Sequence, residues 1–198
     1  NLLRSAMDLS NEDIRELLQK QPAVLTFSAQ HLAESLRFLI EELGLNNNAK
    51  TTTLRSLVLL YPSILTYSIP NLQQKIDFFT HILGFSIQNT TNLLLATPQF
   101  LTLSVDDNLQ PKYDFFREEI HLSNEDIKKM LQKNSNIFAT YSLQQNITPK
   151  LMGLFAKKLL FEPVHFSKIL LSYPQFLDRS LNHYLLPFTQ YFLHDLNF

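Results

Sequence analysis

The chain has 198 residues, a net charge of −1, a pI near 6.7 and 45% hydrophobic residues. That is the composition of a folded protein without the basic excess of a typical nucleic-acid-binding domain. The absence of cysteine rules out disulfides, thiolate metal sites and cysteine nucleophiles, and three glycines argue against phosphate-cradling loops. No apolar run approaches the roughly 18 residues that span a bilayer, so no membrane insertion is expected.

The chain opens on Asn1 rather than methionine and so reads as trimmed or processed, with any targeting segment lying outside this sequence. Residues 1–9 read as the tail of a preceding repeat, because Met7-Asp8-Leu9-Ser10 aligns with Ile120-His121-Leu122-Ser123. Ser10-Asn11-Glu12-Asp13 then resembles a capping box. Ile14, Leu17 and Leu18 fall on one helical face. This helix should stop at Gln21, since the residue before a proline is pushed out of the α region. Pro22 opens a short 3₁₀-like turn that buries Val24 and Leu25. Ser28 is the expected N-cap of a longer helix with a stripe of Leu32, Leu36, Leu39, Ile40 and Leu43, closed by Gly44.

The same marks return down the chain. Leu-Leu-x-x-x-Pro-x-x-Leu-Thr-x-Ser occurs at Pro22, and close copies stand at Pro62 and Pro98. Another copy is centred on Pro174, and a degenerate one has Ser135 at the proline position. Subtracting junction positions gives intervals of about 40, 36, 37 and 39 residues, a period that signals a solenoid. The expected organisation is a single repeat domain over 1–198, with approximate repeats 10–50, 51–85, 86–121, 122–162 and 163–198. The second repeat carries Leu72, Ile76, Phe79 and Leu83, then Gly84. The third carries Leu109, Tyr113, Phe116 and Ile120, with His121 in place of the glycine. The fourth, with Ser135 at its junction, should be the least regular. The fold class is all-α: a right- or left-handed superhelical solenoid whose repeats each contain two helices and a short turn. Stacking would bury the stripes and leave a concave face suited to a long ligand.

Taken together, these junctions resemble the mitochondrial transcription termination factor (mTERF) family. Its repeat is similar: a helix, a Leu-x-x-x-Pro junction, a 3₁₀ turn and a long helix ending near Leu-Gly. The resemblance implies a protein of mitochondria, or alternatively plastids, that binds duplex DNA or structured RNA in a curved groove. The implied roles are transcription termination or regulation, RNA processing or ribosome biogenesis.

Candidate contacts follow from the long helices. Asn71-Leu72-Gln73-Gln74-Lys75, Asn108-Leu109-Gln110-Pro111-Lys112 and Asn146-Ile147-Thr148-Pro149-Lys150 would place Lys75, Lys112 and Lys150 in one column. Evenly spaced cations suit a phosphate backbone, each contact releasing counterions. The plainer reading is that each lysine snorkels past its apolar stripe to water. Ser35 stands in this column in the first repeat and Pro187 in the fifth. Arg37, Arg55 and Arg117 complete the candidate nucleic-acid set. The basic residues of the first helices (Arg15, Lys20, Arg55 again, Lys128, Lys129, Lys133 and Lys168) sit among Glu12, Asp13, Glu16, Glu125 and Asp126. They read as solvated, self-neutralised faces. Lys157 and Lys158 fit a helix-dipole role. Phe78-Phe79 and Phe115-Phe116 read as core, and Tyr61 and Tyr173 as packing at their junctions.

No catalytic residue, metal site or cofactor is expected. The six histidines are scattered, and the paired carboxylates are adjacent in sequence and so do not face each other. No small-molecule substrate is expected either. The competing class is a protein-binding scaffold subunit of a large organellar assembly, such as a ribosome or respiratory complex.

Overall fold

Serines open the helices of this protein. In the computed structural model, which describes residues 7–44, 48–156, 159, 161–191 and 193, Ser10, Ser28, Ser68 and Ser86 each accept the backbone N–H three residues on. Ser104, Ser123, Ser142 and Ser180 do the same. Each hydroxyl satisfies one of the orphan donors of a first helical turn. At Ser10 and Ser123 the exchange is reciprocal: Asp13 and Asp126 accept the serine N–H, completing a capping box.

All regular structure among the described residues is helical. The first helices of the repeats are Asn11–Lys20, Asn48–Leu60, Ile87–Ala96, Asn124–Lys133 and Pro163–Ser172. Four of them end in the same way. Gln21, Tyr61, Thr97 and Tyr173 adopt φ of −140°, −133°, −139° and −144° with ψ near 70°, the region left to a residue before proline. The five-residue 3₁₀ turns Pro22–Thr26, Pro62–Thr66, Pro98–Thr102 and Pro174–Asp178 follow. In the first three, the threonine hydroxyl donates at 2.7 Å to the carbonyl three residues back, closing the turn. The Leu-Thr-x-Ser motif is therefore a turn lock followed by a helix cap.

The fourth junction keeps the backbone path without proline. Asn134 sits at φ −150°, ψ 88°, and Ser135 at φ −64°, the angle a proline ring would impose. The turn that follows is a short α-helix, Asn136–Ala139, rather than a 3₁₀ turn. Irregularity thus falls on the turn and leaves the junction dihedrals intact.

The long helices are less uniform than their stripes predict. Ala29–Glu42 is α-helical throughout, whereas Ile69–Asp77 passes into a π turn at Phe78–Ile82. In the last three repeats the helix begins with a π turn: Val105–Leu109, Leu143–Ile147 and Leu181–Leu185. Here Leu109, Ile147 and Leu185 donate to Ser104, Ser142 and Ser180, five residues back. A proline follows at Pro111, Pro149 and Pro187, seven residues after each capping serine. Proline lacks the N–H that an α-helix would pair with its i−4 carbonyl. The wider π turn takes up one extra residue just before that missing donor.

The stripes form the core. Leu36, Leu39, Leu72, Ile76, Phe79, Leu109, Phe116 and Ile147 are buried. Phe79 lies edge-on to Phe100 of the following turn at 5.0 Å, and Phe116 stacks on Phe138 at 5.7 Å. Phe78 and Phe79 are core residues as expected, while Tyr173 is exposed; of the pair expected to be buried in the first turn, Val24 is buried but Leu25 faces outward, 72% exposed. Left-handed residues close the long helices: Gly44 at φ 60°, Gly84 at 74° and His121 at 60°. Asp8, aligned with His121, also has a positive φ of 51°. The chain divides into two compact units, Asn1–Leu103 and Ser104–Phe198, each built from these same pieces.

Candidate nucleic-acid interface

The three column lysines do not lie on the surface. Lys75, Lys112 and Lys150 are 2%, 3% and 3% exposed. Each ammonium reaches back one helical turn to an asparagine side chain: Asn71 Oδ1 at 2.5 Å, Asn108 Oδ1 at 2.7 Å and Asn146 Oδ1 at 3.0 Å. Two of them also reach forward. Lys112 Nζ donates to the Phe138 carbonyl at 2.6 Å, and Lys150 Nζ to the Leu177 carbonyl at 2.5 Å. Both acceptors lie in the short turn of the next repeat. Two of the three ammonium groups lie over tyrosine rings, Lys75 at 5.4 Å from Tyr67 and Lys150 at 5.9 Å from Tyr141.

This corrects the phosphate row expected from the spacing. A lysine on a helix flank can snorkel outward, but here the flank faces the next turn, whose carbonyl supplies the nearer partner. At Lys112 and Lys150 the ammonium acts as a clamp between repeats. Burial pushes the Lys112 pKa down to about 8 and lowers those of Lys75 and Lys150, the nearby Asp178 partly opposing the shift at Lys150.

The π turns explain how the column survives a change of spacing. Lys75 stands seven residues after its capping serine, whereas Lys112 and Lys150 stand eight after theirs. The extra residue is absorbed by the π turn, so the side chains keep their place. The same count corrects the fifth repeat: Phe188, not Pro187, occupies the lysine position, and Tyr184 the asparagine position. In the first repeat the pair is His31 and Ser35. Ser35 is fully buried, and neither its Oγ nor His31 Nε2 has a hydrogen-bond partner. The signal for the clamp was present in the sequence as an asparagine four residues before each lysine, a spacing at which helical side chains meet.

The arginines separate. Arg55 forms an ion pair with Asp13 of the first repeat at 2.8 Å. That contact and the Ser10 hydrogen bonds hold the Asp13 carboxyl down at about 2, while the carboxylate raises the Arg55 pKa. Arg37 is exposed on the first long helix. Arg117 is exposed on the third, where its guanidinium also donates to the Leu122 carbonyl.

Among the other cations, Arg15 pairs with Glu12, Lys20 with Glu16 and Lys128 with Glu125, as expected of self-neutralised faces. Lys20 also donates to the Leu59 carbonyl at 3.1 Å, and Lys133 to that of Leu171. Both acceptors lie in the last turn of the next repeat's first helix, where a cation complements the dipole. Lys129 and Lys168 are exposed, and Lys157 and Lys158 lie outside the described residues. Among the described residues no group of His, Asp and Glu side chains is arranged to hold a metal ion, and no helix is long and apolar enough to cross a membrane.

A comparison with curated proteins gives no match. A comparison with protein families gives the mTERF model, matched over residues 3–163. That span takes in the first four repeats and ends at the opening of the fifth. With its proline-junction turns and capped long helices in an all-α repeat fold, the chain belongs to the mTERF family.

Proposed function

We propose that this chain binds nucleic acid in organellar gene expression, holding duplex DNA or structured RNA by its sugar–phosphate backbone. The family match over residues 3–163 carries the reading, since mTERF proteins are organellar helical-repeat proteins that bind nucleic acid. Transcription termination or regulation and ribosome biogenesis are the roles it fits, in a mitochondrion or alternatively a plastid. With all three column lysines buried, two of them engaged between repeats, the contacts fall to surface cations. Arg37 and Arg117 are the exposed members of the original set, joined by Lys129 and Lys168. No base-reading constellation accompanies them, so backbone and shape recognition is the mechanism.

A salt titration against duplex DNA and structured RNA tests this. Several phosphate contacts produce a steep fall of affinity with salt, with a slope of about −0.9 per contact on B-DNA. Arg37→Glu weakens binding at unchanged melting temperature, and Arg117→Glu weakens it as well, with some loss of stability from its Leu122 hydrogen bond. Failure to bind either ligand at low salt overturns the proposal.

One observation favours a scaffold role instead. The chain has a net charge of −1, and the ammonium groups of Lys75, Lys112 and Lys150 already serve its interior. A subunit that grips protein needs no cationic surplus, so capture of a protein partner with no salt-dependent affinity for nucleic acid selects this reading.

A further inference from the structure

The first repeat carries a different pair at the clamp position. His31 and Ser35 follow the Ser28 cap at the spacing at which Asn71 and Lys75 follow Ser68. Four residues apart, their side chains share one face of the helix Ala29–Glu42. That helix packs against the Pro62–Thr66 turn of the second repeat, as Ile69–Asp77 packs against Pro98–Thr102 of the third. Phe27, at the position of Tyr67 and Tyr141, stacks on the His31 ring with centroids 4.6 Å apart. The imidazole thus meets the aromatic ring that an ammonium meets in the second and fourth repeats.

The hydrogen bonds of the clamp are not reproduced by the protein itself. Ser35 is fully buried, and both its Oγ and His31 Nε2 are enclosed without a hydrogen-bond partner among the described residues. A buried polar atom left unpaired is costly, so two of them on one helix face call for a shared partner. The turn ahead supplies a third polar group. Lys112 and Lys150 donate to the carbonyls of Phe138 and Leu177, each standing at the same place in its turn. The corresponding carbonyl of the second repeat is that of Leu65, a fully buried residue. The histidine–serine pair is also one non-hydrogen atom smaller than asparagine–lysine, the size of a single water oxygen.

We infer that one ordered water molecule is bound between the first two repeats, bridging His31 Nε2, Ser35 Oγ and the Leu65 carbonyl where a lysine ammonium stands in the third and fourth repeats. The Ser35 hydroxyl donates to the water. The water donates to the Leu65 oxygen and to Nε2, with the imidazole proton on Nδ1. Three hydrogen bonds are the usual complement of a buried water. The site rests on packing within the first two repeats and does not depend on the nucleic-acid reading.

The test is a crystal structure of the 198-residue protein at a resolution that shows ordered solvent, together with thermal melts of Ser35→Ala. A solvent peak within hydrogen-bond reach of both His31 Nε2 and Ser35 Oγ is the expected result. Ser35→Ala removes one partner of the water and lowers the melting temperature by about 2–4 °C. In a dry site the same substitution relieves an unpaired buried hydroxyl and raises it, so the sign of the shift separates the two cases. The double variant His31→Asn, Ser35→Lys rebuilds the clamp pair, and its introduced ammonium takes the place of the solvent peak. A wild-type structure with no solvent peak at this site overturns the inference. So does a Ser35→Ala protein that melts at or above the wild-type temperature, and so does a double variant that retains the peak.

Discussion

Replacing Lys112 with methionine preserves the unbranched stem and deletes the ammonium. Asn108 Oδ1 and the Phe138 carbonyl, bonded at 2.7 and 2.6 Å, both lose their donor. Asn108 is only half-buried and can turn to water, whereas Phe138 is fully buried. An unpaired buried acceptor costs about 1–3 kcal/mol. Relief of the charge burial that holds the Lys112 pKa at about 8 offsets part of this. A net loss of about 1–2 kcal/mol lowers the melting temperature by roughly 2–8 °C in a chain of this size.

The effect depends on pH. The ammonium titrates near 8 in the folded protein and near about 10.4 when unfolded, so between those values the unfolded chain binds more protons. The burial penalty is complete below the folded pKa and fades as pH rises through the window. The wild type should therefore gain stability over Lys112→Met between about pH 8 and pH 10. Circular-dichroism melts and urea titrations at pH 7 and pH 9.5, each paired with a nucleic-acid binding isotherm, read both quantities. An unchanged melting temperature together with a large loss of nucleic-acid affinity would refute the clamp and return Lys112 to the phosphate row.

Three further outcomes follow from local geometry. His121 holds φ at 60° where Gly84 closes the preceding repeat, so His121→Gly should stabilise by about 1 kcal/mol, read from urea midpoints; a loss of stability would mean the imidazole contributes more than its backbone strain costs. Ser135 already has φ −64° after an extended Asn134, so Ser135→Pro should add about 0.4–1 kcal/mol. A drop instead would show that a Ser135 hydrogen bond outweighs the lost chain entropy. Asp13 is held at about 2 by Arg55 and Ser10, below its value of about 3.9 in an unfolded chain. Its contribution is complete above the unfolded value and is lost as pH falls through the folded one. Arg55→Ala should thus flatten the acid limb of the stability profile between about pH 4 and pH 2, and an unaltered limb would exclude the pair as its source.

The repeat was legible because its marks are local. A residue before proline leaves the α region whatever surrounds it, a serine caps the helix it precedes, and an apolar stripe declares its own period. These fixed the junctions at Pro22, Pro62, Pro98 and Pro174, the Ser28, Ser68 and Ser104 caps, and the Phe79 and Phe116 core positions. They also aligned Asp8 with His121, two residues that share a positive φ.

What the sequence could not decide was the direction in which a polar side chain points. Lys75, Lys112 and Lys150 have the spacing of a binding row, and nothing within their own helices distinguishes an ammonium facing water from one facing a carbonyl some 26 residues away. That choice belongs to the stacking of one repeat on the next, which brings the Phe138 and Leu177 carbonyls within reach. The one-residue shift that moves Phe188 into the lysine position was hidden for a similar reason. A π turn changes the helical count without changing the proline spacing, and only the i−5 hydrogen bonds to Ser104, Ser142 and Ser180 reveal it. Local chemistry settled where each helix begins and ends, and tertiary packing settled which of its charged groups face solvent.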